Sequence, residues 1–294
     1  MTARPDSKDV GVVGLGTMGG PMSAHLAAAG FTVRGYDVRA SAVDALVQAG
    51  GRAGASALDV AASSSVVLTS LPTVAAFESV TSELAGAPAG LIVVETSTMP
   101  LQVKQRARDL LAEHDVGLLD CTLSGTGAQM RVKDVAVYAS GEPDAIASCR
   151  EVFAAFSRSQ FDVGPFGNGT KVKMIANHLV TIHNVSAAEA LLLARRAGLD
   201  LQVVFDAVTD GAGTSRMLEV RGPLMMAGDY SDATMRVETY QKDIDIITGF
   251  ARDLRCPTPL FAASAQLYLA ALAQGRSDED TASVFAVLEG MLES

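Results

Sequence analysis

The sequence is poor in basic residues. Its 294 residues include 23 Lys and Arg against 33 Asp and Glu, which gives a formal net charge of −10 at pH 7. A diffuse acidic surface repels phosphate backbones, so we expect no nucleic-acid partner. An anionic ligand would have to be bound by a local device, such as the free N–H groups at the start of a helix.

Cysteine and histidine are also scarce. The three cysteines, Cys121, Cys149 and Cys256, lie far apart and form no Cys-x-x-Cys pair. They fit buried thiols in a reducing cytoplasm better than disulfides or a zinc site. Of the four histidines, His178 and His183 are nearest to each other in sequence, and on a helix this spacing places them on different faces. We therefore predict no metal site.

Long apolar runs are missing, although hydrophobic residues make up 49% of the sequence, too much for a disordered chain. No stretch reaches about 18 consecutive apolar residues, so we predict no membrane-spanning helix. The segment 1–10 carries charged residues with no apolar stretch behind them, so we expect no secretion signal and a cytoplasmic location. The length suggests about two domains.

A glycine-rich segment follows the first predicted strand, 10–13. It reads Gly14-Leu15-Gly16-Thr17-Met18-Gly19 and precedes a predicted helix, 21–29. In such a loop the first glycine makes a tight turn, the second lets the backbone approach a pyrophosphate, and the third lets helix and strand pack closely. The helix N-terminus adds free N–H groups for phosphate oxygens. Residues 14–19 therefore predict a dinucleotide-binding site.

The next predicted strand, 31–36, ends at Asp37. A carboxylate at this point can accept hydrogen bonds from both ribose hydroxyls of an adenosine, and it would repel a 2′-phosphate. This favours NAD over NADP. Arg39 lies two residues further on and would partly offset the repulsion, so NADP remains a possible second cofactor. Both residues are predicted to bind the cofactor.

Predicted strands and helices then alternate, as a parallel sheet with crossover helices requires. The strands are 66–71, 91–95, 116–121, 135–139 and 160–163, and the helices are 40–49, a short segment near Leu58, one from about Val74, 101–113 and 143–155. In open α/β sheets ligands bind beyond the carboxyl ends of the strands. Leu71-Pro72, Thr98 and Ser124-Gly125 fall there, although Ser, Thr, Gly and Pro are also ordinary turn residues.

The segment 164–167, Gly-Pro-Phe-Gly, interrupts this alternation and predicts a boundary between domains 1–166 and 167–294. A long helix, 170–197, comes next, without a convincing strand after it. Further helical segments are predicted near 201–209, 217–227, 238–254, 258–274 and 279–292. The expected fold is therefore α/β: a doubly wound N-terminal sheet domain, then an all-α domain built on the long helix, with apolar faces for homo-oligomer formation.

The long helix has two kinds of face. Apolar residues recur at helical spacing, at Val172, Ile175, Leu179, Ile182, Val185 and Leu192. Another face carries a polar stripe of Lys173, Asn177, Thr181 and Asn184. From the helix alone, the simpler interpretation is a solvated polar face. The alternative is a lysine and a carboxamide that meet a substrate.

Six motifs, in the right order, resemble those of the β-hydroxyacid dehydrogenases, which include 3-hydroxyisobutyrate, tartronate semialdehyde, L-threonate and 6-phosphogluconate enzymes. They are Gly14-Leu-Gly-Thr-Met-Gly19, Leu71-Pro72, Glu95-Thr-Ser-Thr-Met-Pro100, Asp120-Cys-Thr-Leu-Ser-Gly125, Gly167-Asn-Gly-Thr-Lys-Val-Lys173 with Asn177, and Lys242-Asp243. The resemblance covers nearly the whole chain. It implies a Rossmann domain joined by a long helix to an all-helical domain, in a homodimer or homotetramer.

The resemblance also implies roles for single residues. Lys173 would be the catalytic general acid/base, Asn177 would hold the substrate, and Ser124-Gly125 would hold its carboxylate. Cofactor contacts near the nicotinamide are implied for Leu71-Pro72, Thr98 and Lys242. This reverses the interpretation of the polar stripe as merely solvated. The chemistry is coherent, because oxidation of an alcohol needs a base for the hydroxyl proton, and a lysine can serve when burial or nearby positive charge lowers its pKa from about 10.4.

Three positions depart from the family pattern. The usual Ser-Gly-Gly is Ser124-Gly125-Thr126 here, so the substrate-binding loop, with Thr126 included, is bulkier. A family glycine a few residues later corresponds to Lys133, which adds a cation. Ala176 stands where several members carry a second asparagine. Together the departures predict a substrate other than 3-hydroxyisobutyrate.

The expected function is hydride transfer between NAD and a small hydroxy acid. An imine reductase is the nearest enzymatic alternative, because those enzymes share the two-domain build, but they generally lack the lysine. A non-catalytic dinucleotide-binding module that docks on a partner is the alternative outside enzymes, and such relatives also tend to lose the lysine. Lys173 favours the dehydrogenase.

Overall fold

The computed structural model describes residues 8–292. The segment 1–7, on which part of the secretion-signal expectation rests, and residues 293–294 lie outside the described part. The chain divides into two compact units, Met1–Lys173 and Met174–Ser294. Among residues 8–292, no helix combines the length and the apolar character needed to cross a membrane.

The first unit alternates strands and helices. Its strands are β1 (Asp9–Val13), β2 (Thr32–Tyr36), β3 (Arg52–Ala53), β4 (Val66–Thr69), β5 (Ile92–Glu95), β6 (Gly117–Ser124), β7 (Ala136–Ser140) and β8 (Ser159–Asp162). Its helices are α1 (Gly19–Ala28), α2 (Ala40–Gln48), α3 (Ala57–Ala62), α4 (Val74–Leu84), α5 (Leu101–Ala112), α6 (Gly127–Arg131), α7 (Pro143–Ser148) and α8 (Arg150–Phe156). Helix α9 (Asn168–Arg196) begins in this unit and carries the chain into the second.

The strands form one eight-stranded sheet in the order β3-β2-β1-β4-β5-β6-β7-β8. Neighbouring strands are parallel except β6 and β7, which are antiparallel, so the prediction of a parallel sheet is wrong at this pair. The link from Ser124 to Ala136 contains only the short helix α6, which is too short for the crossover that a parallel neighbour needs. The strand order reverses between β1 and β4, and dinucleotides bind at such a switch point.

Alternate residues of the central strands pack into two cores, one on each face of the sheet. The core that joins the strands to α1 and α8 includes Val12, Leu68, Val94, Met22 and Phe153. The core that joins them to α4 and α5 includes Val67, Val93, Leu118, Phe77 and Val103. Burial on both faces explains why the central strands are continuously apolar in sequence. The first unit is thus the doubly wound Rossmann-type domain that the sequence predicts.

The second unit is helical. After α9 it contains α10 (Leu201–Asp210), α11 (Arg216–Ala227), α12 (Val237–Asp253), α13 (Pro259–Ala273), a short 3₁₀ turn (Thr281–Ser283) and α14 (Val284–Gly290). The largest buried side chains of its core include Tyr240, Phe261, Tyr268 and Phe285. Within the described residues, its extended pairing is limited to an isolated bridge between Arg236 and Asp280. The predicted helix 279–292 is therefore wrong at its start, because Asp280 belongs to this bridge instead of a helix.

Helix α9 buries most of its polar stripe. Asn177, Thr181 and Asn184 are 6%, 0% and 0% exposed, whereas Ile175 and Leu179 are 58% and 47% exposed. The interpretation of the stripe as a solvated face, already reversed by the resemblance, is therefore wrong. Ile175 and Leu179, two of the apolar residues at helical spacing, are exposed. Most of the buried polar groups are hydrogen-bonded; for example, the Thr181 hydroxyl donates to the backbone oxygen of Asn177. The side-chain oxygen of Asn184 is buried without a hydrogen-bond partner among residues 8–292.

The cysteines differ in exposure. Cys121 and Cys149 are buried, as predicted, but Cys256 is exposed, so the buried-thiol prediction is wrong for that residue. Burial raises the pKa of Cys149 to about 12, which keeps that thiol protonated and unreactive at neutral pH. In the described part of the chain, no group of three or more His, Cys, Asp or Glu side chains is arranged to hold a metal ion.

Candidate active site

The glycine loop between β1 and α1 requires glycine at two positions. Gly14 has a φ of 89°, and a Cβ there would lie 2.2 Å from the backbone oxygen of Ser70. A Cβ on Gly19 would lie 1.9 Å from the backbone oxygen of Gly14. At Gly16, by contrast, a Cβ would meet only the Arg39 guanidinium, 3.6 Å away, so the loop backbone is open there. This geometry fits a pyrophosphate that approaches at Gly16.

The other loop residues have different environments. Leu15 is buried in the core, Met18 is half-buried, and Thr17 is exposed. Helix α1 follows directly, and no side chain caps its N-terminus. The Gly20 N–H donates to the backbone oxygen of Gly16 at 2.9 Å and Pro21 has no N–H, so the Gly19 N–H is the group of this first turn that remains for a phosphate oxygen. Thr17 packs against Gly127 so closely that a Cβ on that glycine would lie 2.2 Å from Thr17 Cγ2. The glycine loop therefore touches the start of α6.

Asp37 follows β2, and its carboxylate is fully engaged. Oδ2 accepts from the Leu15 backbone N–H at 2.8 Å, and Oδ1 accepts from the Arg39 backbone N–H at 2.8 Å. The Arg39 side chain donates to Oδ1 from Nε at 3.1 Å and to Oδ2 from Nη2 at 3.3 Å. Burial pushes the pKa of Asp37 up, but the hydrogen bonds from Arg39 and Leu15 outweigh it and leave the pKa below its usual value. Asp37 is thus a carboxylate anion at neutral pH.

The loops after β4 and β5 are bonded to each other. The Leu71 backbone N–H donates to Ser97 Oγ at 2.8 Å, and the Ser97 backbone N–H donates to Glu95 Oε1 at 2.7 Å. The Thr69 hydroxyl donates to the other oxygen of Glu95. Glu95 is completely buried, and burial raises its pKa. This chain of contacts holds Leu71-Pro72 next to the segment that contains Thr98.

The segment Ser124-Gly125-Thr126 turns the chain from β6 into α6. Gly125 has a φ of 143°, and a Cβ there would lie 2.7 Å from Val135 Cγ1, so this position requires glycine. Ser124 is half-buried. Its hydroxyl makes no hydrogen bond to another group in residues 8–292, so it can donate to a ligand.

Two of the departures from the family pattern have a local explanation. Thr126 has a φ of −98° and caps α6 in a capping box with Gln129, so a side chain fits at this position without strain. Lys133 has a φ of 59°, in the left-handed region that favours glycine. The family glycine at this point is thus explained by backbone conformation, and Lys133 keeps that conformation with a side chain in place.

Lys173 lies on the first turns of α9 and is half-buried. The start of this helix is held by Asp120 of β6, which is fully buried. Asp120 Oδ2 accepts from the Thr170 backbone N–H at 2.7 Å, and Oδ1 accepts from the Thr170 hydroxyl at 2.8 Å. A carboxylate at a helix N-terminus also interacts favourably with the helix dipole. The helix that carries Lys173 therefore starts from a fixed point on β6.

Asn177 and Lys242 lie in the second unit. The Asn177 amide nitrogen donates to Asp243 Oδ2 at 2.8 Å, and its backbone oxygen accepts from the Tyr240 hydroxyl at 3.1 Å. Asn177, Asp243 and Tyr240 are all buried. Because the amide nitrogen of Asn177 donates this hydrogen bond to Asp243, the side-chain oxygen of Asn177 faces away from the Asp243 carboxylate. Lys242 precedes Asp243 on α12 and is exposed.

His178 follows Asn177 on α9 but has a different partner. Its ring stacks on Phe261, with centroids 5.1 Å apart and an interplanar angle of 11°. Burial lowers the pKa of His178, so the imidazole is neutral at pH 7. This packing indicates a structural role for His178.

The structure brings most predicted cofactor and substrate residues of the first unit to one edge of the sheet. Residues 14–19, 37–39, 71–72, 98 and 124–126 follow the carboxyl ends of the parallel strands β1, β2, β4, β5 and β6. Sequence reasoning gave no role to the buried charges behind this edge, Glu95, Lys104 and Asp120. The sequence does contain a sign of the two buried acids, because Glu95 and Asp120 each follow an apolar strand segment.

Comparison with known proteins agrees with this geometry. Residues 9–164 match the family model described as the NAD binding domain of 6-phosphogluconate dehydrogenase. Residues 167–288 match the one described as NAD-binding of NADP-dependent 3-hydroxyisobutyrate dehydrogenase. The fold and the glycine loop thus define an oxidoreductase that binds a nicotinamide dinucleotide.

Individual relatives narrow the class. The chain is 32% identical over 290 residues to an L-threonate dehydrogenase from Cupriavidus necator, covering 97% of each. It is 29% identical over 284 residues to an NAD-dependent L-serine dehydrogenase from Pseudomonas aeruginosa, covering 93% of this chain and 95% of the relative. A crystal structure of 3-hydroxyisobutyrate dehydrogenase from Salmonella typhimurium superposes with a TM-score of 0.85 at 29% identity, covering 95% of this chain and 99% of that chain.

The chain belongs to the β-hydroxyacid dehydrogenase family and is 3-hydroxyisobutyrate dehydrogenase-like. Its reaction class is NAD-dependent oxidoreduction of hydroxy acids, which confirms the expected function at this level. NAD is confirmed as a cofactor, and NADP remains possible.

Proposed function

We propose that Lys173 is the general acid/base of this dehydrogenase and that Ser124-Gly125-Thr126 and Asn177 hold a small hydroxy acid for it. One observation carries the proposal. The helix that bears Lys173 starts from Asp120 on β6, and the same strand ends at Ser124, whose hydroxyl has no partner in the described residues. A proton-transferring group and a carboxylate donor are therefore attached to the same strand.

Each side chain has a defined task in the reaction. The glycine loop 14–19 and Asp37 would hold the dinucleotide, and its nicotinamide would supply the hydride chemistry between the alcohol and the carbonyl form of the substrate. Lys173 Nζ takes the hydroxyl proton in the oxidation and gives it back in the reduction. The Ser124 hydroxyl and the Gly125 backbone N–H donate to the substrate carboxylate, and Asn177 fixes a substrate oxygen. Lys242, Thr98 and Leu71-Pro72 are each proposed as cofactor contacts near the nicotinamide.

The preference for NAD belongs to the same proposal. Asp37 is an anion and would repel the 2′-phosphate of NADP. Arg39 donates to both carboxylate oxygens of Asp37 and is 60% exposed as a side chain, so it can turn outward and contact such a phosphate. We therefore propose that NAD is preferred and that NADP is used less well.

The substrate is proposed to be a small hydroxy acid more polar than 3-hydroxyisobutyrate, such as L-threonate. Thr126 adds a side chain to the carboxylate loop, and Lys133 adds a cation to the segment that follows α6. Polar substituents on the substrate would suit these groups better than a methyl group. The relatives named as L-threonate and L-serine dehydrogenases act on such polar acids.

The proposal extends to assembly and location. The second unit exposes large apolar side chains, with Leu193 at 72%, Leu260 at 68% and Val203 at 66%. Such residues support a homodimer or homotetramer formed through the helical domain. We propose that domain 1–166 is the dinucleotide-binding domain and also carries the carboxylate loop 124–126. We assign Lys173, Asn177 and the assembly surface to the all-helical substrate and dimerisation domain 167–294, and the cytoplasm as the location.

The test is a spectrophotometric assay of NAD and NADP reduction with a panel of hydroxy acids. The panel contains L-threonate, L-serine, glycerate, 3-hydroxypropionate, 3-hydroxybutyrate and 3-hydroxyisobutyrate. We expect turnover with NAD, and a higher kcat/KM for L-threonate than for 3-hydroxyisobutyrate. A clear preference for 3-hydroxyisobutyrate would contradict the proposed substrate class. No turnover with any acid of the panel, in a protein that binds NADH, would contradict the substrate assignment as a whole.

A further inference from the structure

A lysine is buried completely behind the edge of the sheet that carries the site. Lys104 of α5 is 0% exposed, and its ammonium lies 2.7 Å from Asp120 Oδ1, which is equally buried. A buried ion pair of this kind is weak evidence for stability, because removing both charges from water costs about as much as their attraction returns. A role in holding one particular geometry is the better explanation to test.

A second buried carboxylate lies beside the first. Glu95 of β5 pairs in register with Asp120 of β6, so both side chains lie on the sheet face that packs against α5. Burial raises the pKa of Glu95, and the positive charge of Lys104 opposes that rise. Lys104 therefore pairs with Asp120 and acts electrostatically on Glu95, and the three form a buried triad, Glu95, Lys104 and Asp120.

Asp120 connects this triad to the helix of Lys173. It binds the backbone N–H and the hydroxyl of Thr170. The preceding residue, Gly169, is held from both sides: its backbone oxygen accepts from the Thr122 hydroxyl at 2.7 Å, and its N–H donates to Ser140 Oγ at 2.9 Å. Thr170 precedes Lys173 by about one helical turn, so a shift at the anchor moves the lysine directly.

Glu95 connects the triad to the loops after β4 and β5. It accepts from the Ser97 backbone N–H, and Ser97 Oγ accepts from the Leu71 backbone N–H. These two loops contain Leu71-Pro72 and Thr98, the residues proposed to contact the cofactor near the nicotinamide. Lys104 thus pairs with the acid that anchors the lysine helix and acts electrostatically on the acid that holds the cofactor loops.

We propose that Glu95, Lys104 and Asp120 act as a positioning triad that fixes the Lys173 helix relative to the loops of the nicotinamide site. None of the three is a catalytic residue in this scheme; they act through Thr170 and Ser97. The inference rests on the proposed role of Lys173. Its physical basis is that hydride and proton transfer require the reacting groups to be held in place, and a displacement of about 1 Å can reduce the rate about 100-fold.

The mildest test removes one contact without removing a charge. Thr170→Val deletes the hydroxyl that donates to Asp120 and keeps both the shape and the backbone N–H. Thr170→Ser keeps the hydroxyl. Thr81→Val is the matched control, because Thr81 is a buried threonine of α4 in the same unit, outside the network. Lys104→Met combined with Asp120→Asn is the second, stronger test, because it replaces the ion pair by neutral groups of similar size.

Three quantities are measured on each folded variant: kcat, the Kd for NADH, and hydrogen exchange of the backbone N–H groups in the first turns of α9. We expect Thr170→Val to accelerate exchange in those turns and to lower kcat at least about tenfold with an unchanged Kd. Thr170→Ser and Thr81→Val should match the parent protein in all three. The double variant should show the same pattern as Thr170→Val, more strongly.

The outcomes distinguish a failure of the positioning triad from a failure of the proposed catalytic role of Lys173. Faster exchange with unchanged kcat in Thr170→Val would show an anchor without a catalytic consequence and would overturn the positioning role. Unchanged exchange in both Thr170→Val and the double variant would overturn the anchor itself. Retained turnover in Lys173→Ala would instead refute the role of Lys173, whatever the exchange data show.

Discussion

The side chain of Arg39 donates to both carboxylate oxygens of Asp37, which also accept the backbone N–H groups of Arg39 and Leu15. The acid that is expected to bind the adenosine ribose therefore has all its acceptor positions engaged. Ribose hydroxyls can reach Asp37 only if the guanidinium moves aside. The two residues thus act on cofactor choice in opposite directions.

Substitution of this pair should change the discrimination between cofactors. Asp37→Ala removes the charge that repels a 2′-phosphate, so the ratio of kcat/KM for NAD to that for NADP should fall about tenfold or more. Arg39→Ala frees the acceptors of Asp37 and removes a partner for the phosphate, so the same ratio should rise. Steady-state kinetics with both cofactors measures it. An unaltered ratio in Asp37→Ala would show that another group sets the preference.

Lys173→Ala should lower kcat by about 100-fold to 10,000-fold, because the hydroxyl proton then has no positioned acceptor. The Kd for NADH should stay nearly unchanged. Lys171→Ala is the control: Lys171 lies two residues away on another side of the helix, and its ammonium lies 3.2 Å from Asn168 Oδ1. Stopped-flow absorbance of NADH follows the hydride step in each variant. Comparable losses in both would point to damage of the helix instead of loss of the base.

Asp243→Asn should raise the KM for the hydroxy acid about tenfold. The carboxylate accepts from the Asn177 amide nitrogen and so fixes which end of that amide faces away from it. An asparagine at 243 can donate as well as accept, so the Asn177 amide loses its single orientation. Substrate titrations at saturating NAD give the KM, and circular dichroism checks folding. A KM equal to that of the parent protein would argue against Asn177 as a substrate contact.

Lys133→Gly should raise the free energy of unfolding by about 0.5–1 kcal/mol. A φ of 59° is unfavourable for a residue with a Cβ, and part of the relief is offset by the greater freedom of glycine in the unfolded chain. Lys133→Ala keeps the Cβ and should give no such gain, which separates conformation from charge. Urea denaturation measures both. Equal stabilisation by alanine would assign the effect to the lost cation.

Asp280 should make the helical domain sensitive to acid. Burial pushes its pKa up, but the charge of Arg221 and several hydrogen bonds outweigh it and leave the pKa below its usual value. A carboxyl whose pKa is lower in the folded than in the unfolded chain contributes stability above its unfolded pKa of about 3.9, and this is lost as the pH falls through the folded pKa.

Asp280→Asn should therefore lower the free energy of unfolding by about 3–5 kcal/mol at pH 7, since it leaves the buried Arg221 without its charged partner. The difference from the parent protein should shrink as the pH falls below about 4. Asp278→Asn, at an exposed ion pair with Arg236, should change stability little at either pH. A pH-independent effect of Asp280→Asn would mean that lost packing, not charge, is responsible.

The sequence predicts correctly that the glycine loop follows β1 and that Asp37 follows β2, because the glycines of the loop are tied to backbone conformation. It is less accurate for strand ends, since β4 ends at Thr69 and β6 continues to Ser124. It fails for α9, where Asn177, Thr181 and Asn184 are buried while Ile175 and Leu179 are exposed. Periodicity identifies two faces of a helix, but only tertiary partners such as Tyr240 and Tyr268 determine which face is covered. Here most of the buried hydroxyls and amides form hydrogen bonds with tertiary partners, which no local pattern records.

Other elements that the sequence did not predict, or predicted wrongly, have local physical causes. Strand β3 is two residues long, and α6 five, so neither contains enough residues for a periodic signal. The predicted helix 143–155 is interrupted at Cys149, where α7 ends and α8 begins. The antiparallel pairing of β6 and β7 follows from the short connection between them, whose length is visible in the sequence once both strands are assigned.

The two loop positions after Ser124 offer very different freedom to anyone who redesigns this enzyme. Gly125 cannot accept a side chain without displacing Val135, whereas Thr126 has an ordinary backbone conformation and already carries one. A mutant library that varies position 126 among residues able to cap a helix explores new substrates on an intact backbone. One that varies position 125 mainly samples misfolded loops. Variation among naturally related enzymes should be divided between these two positions in the same unequal way.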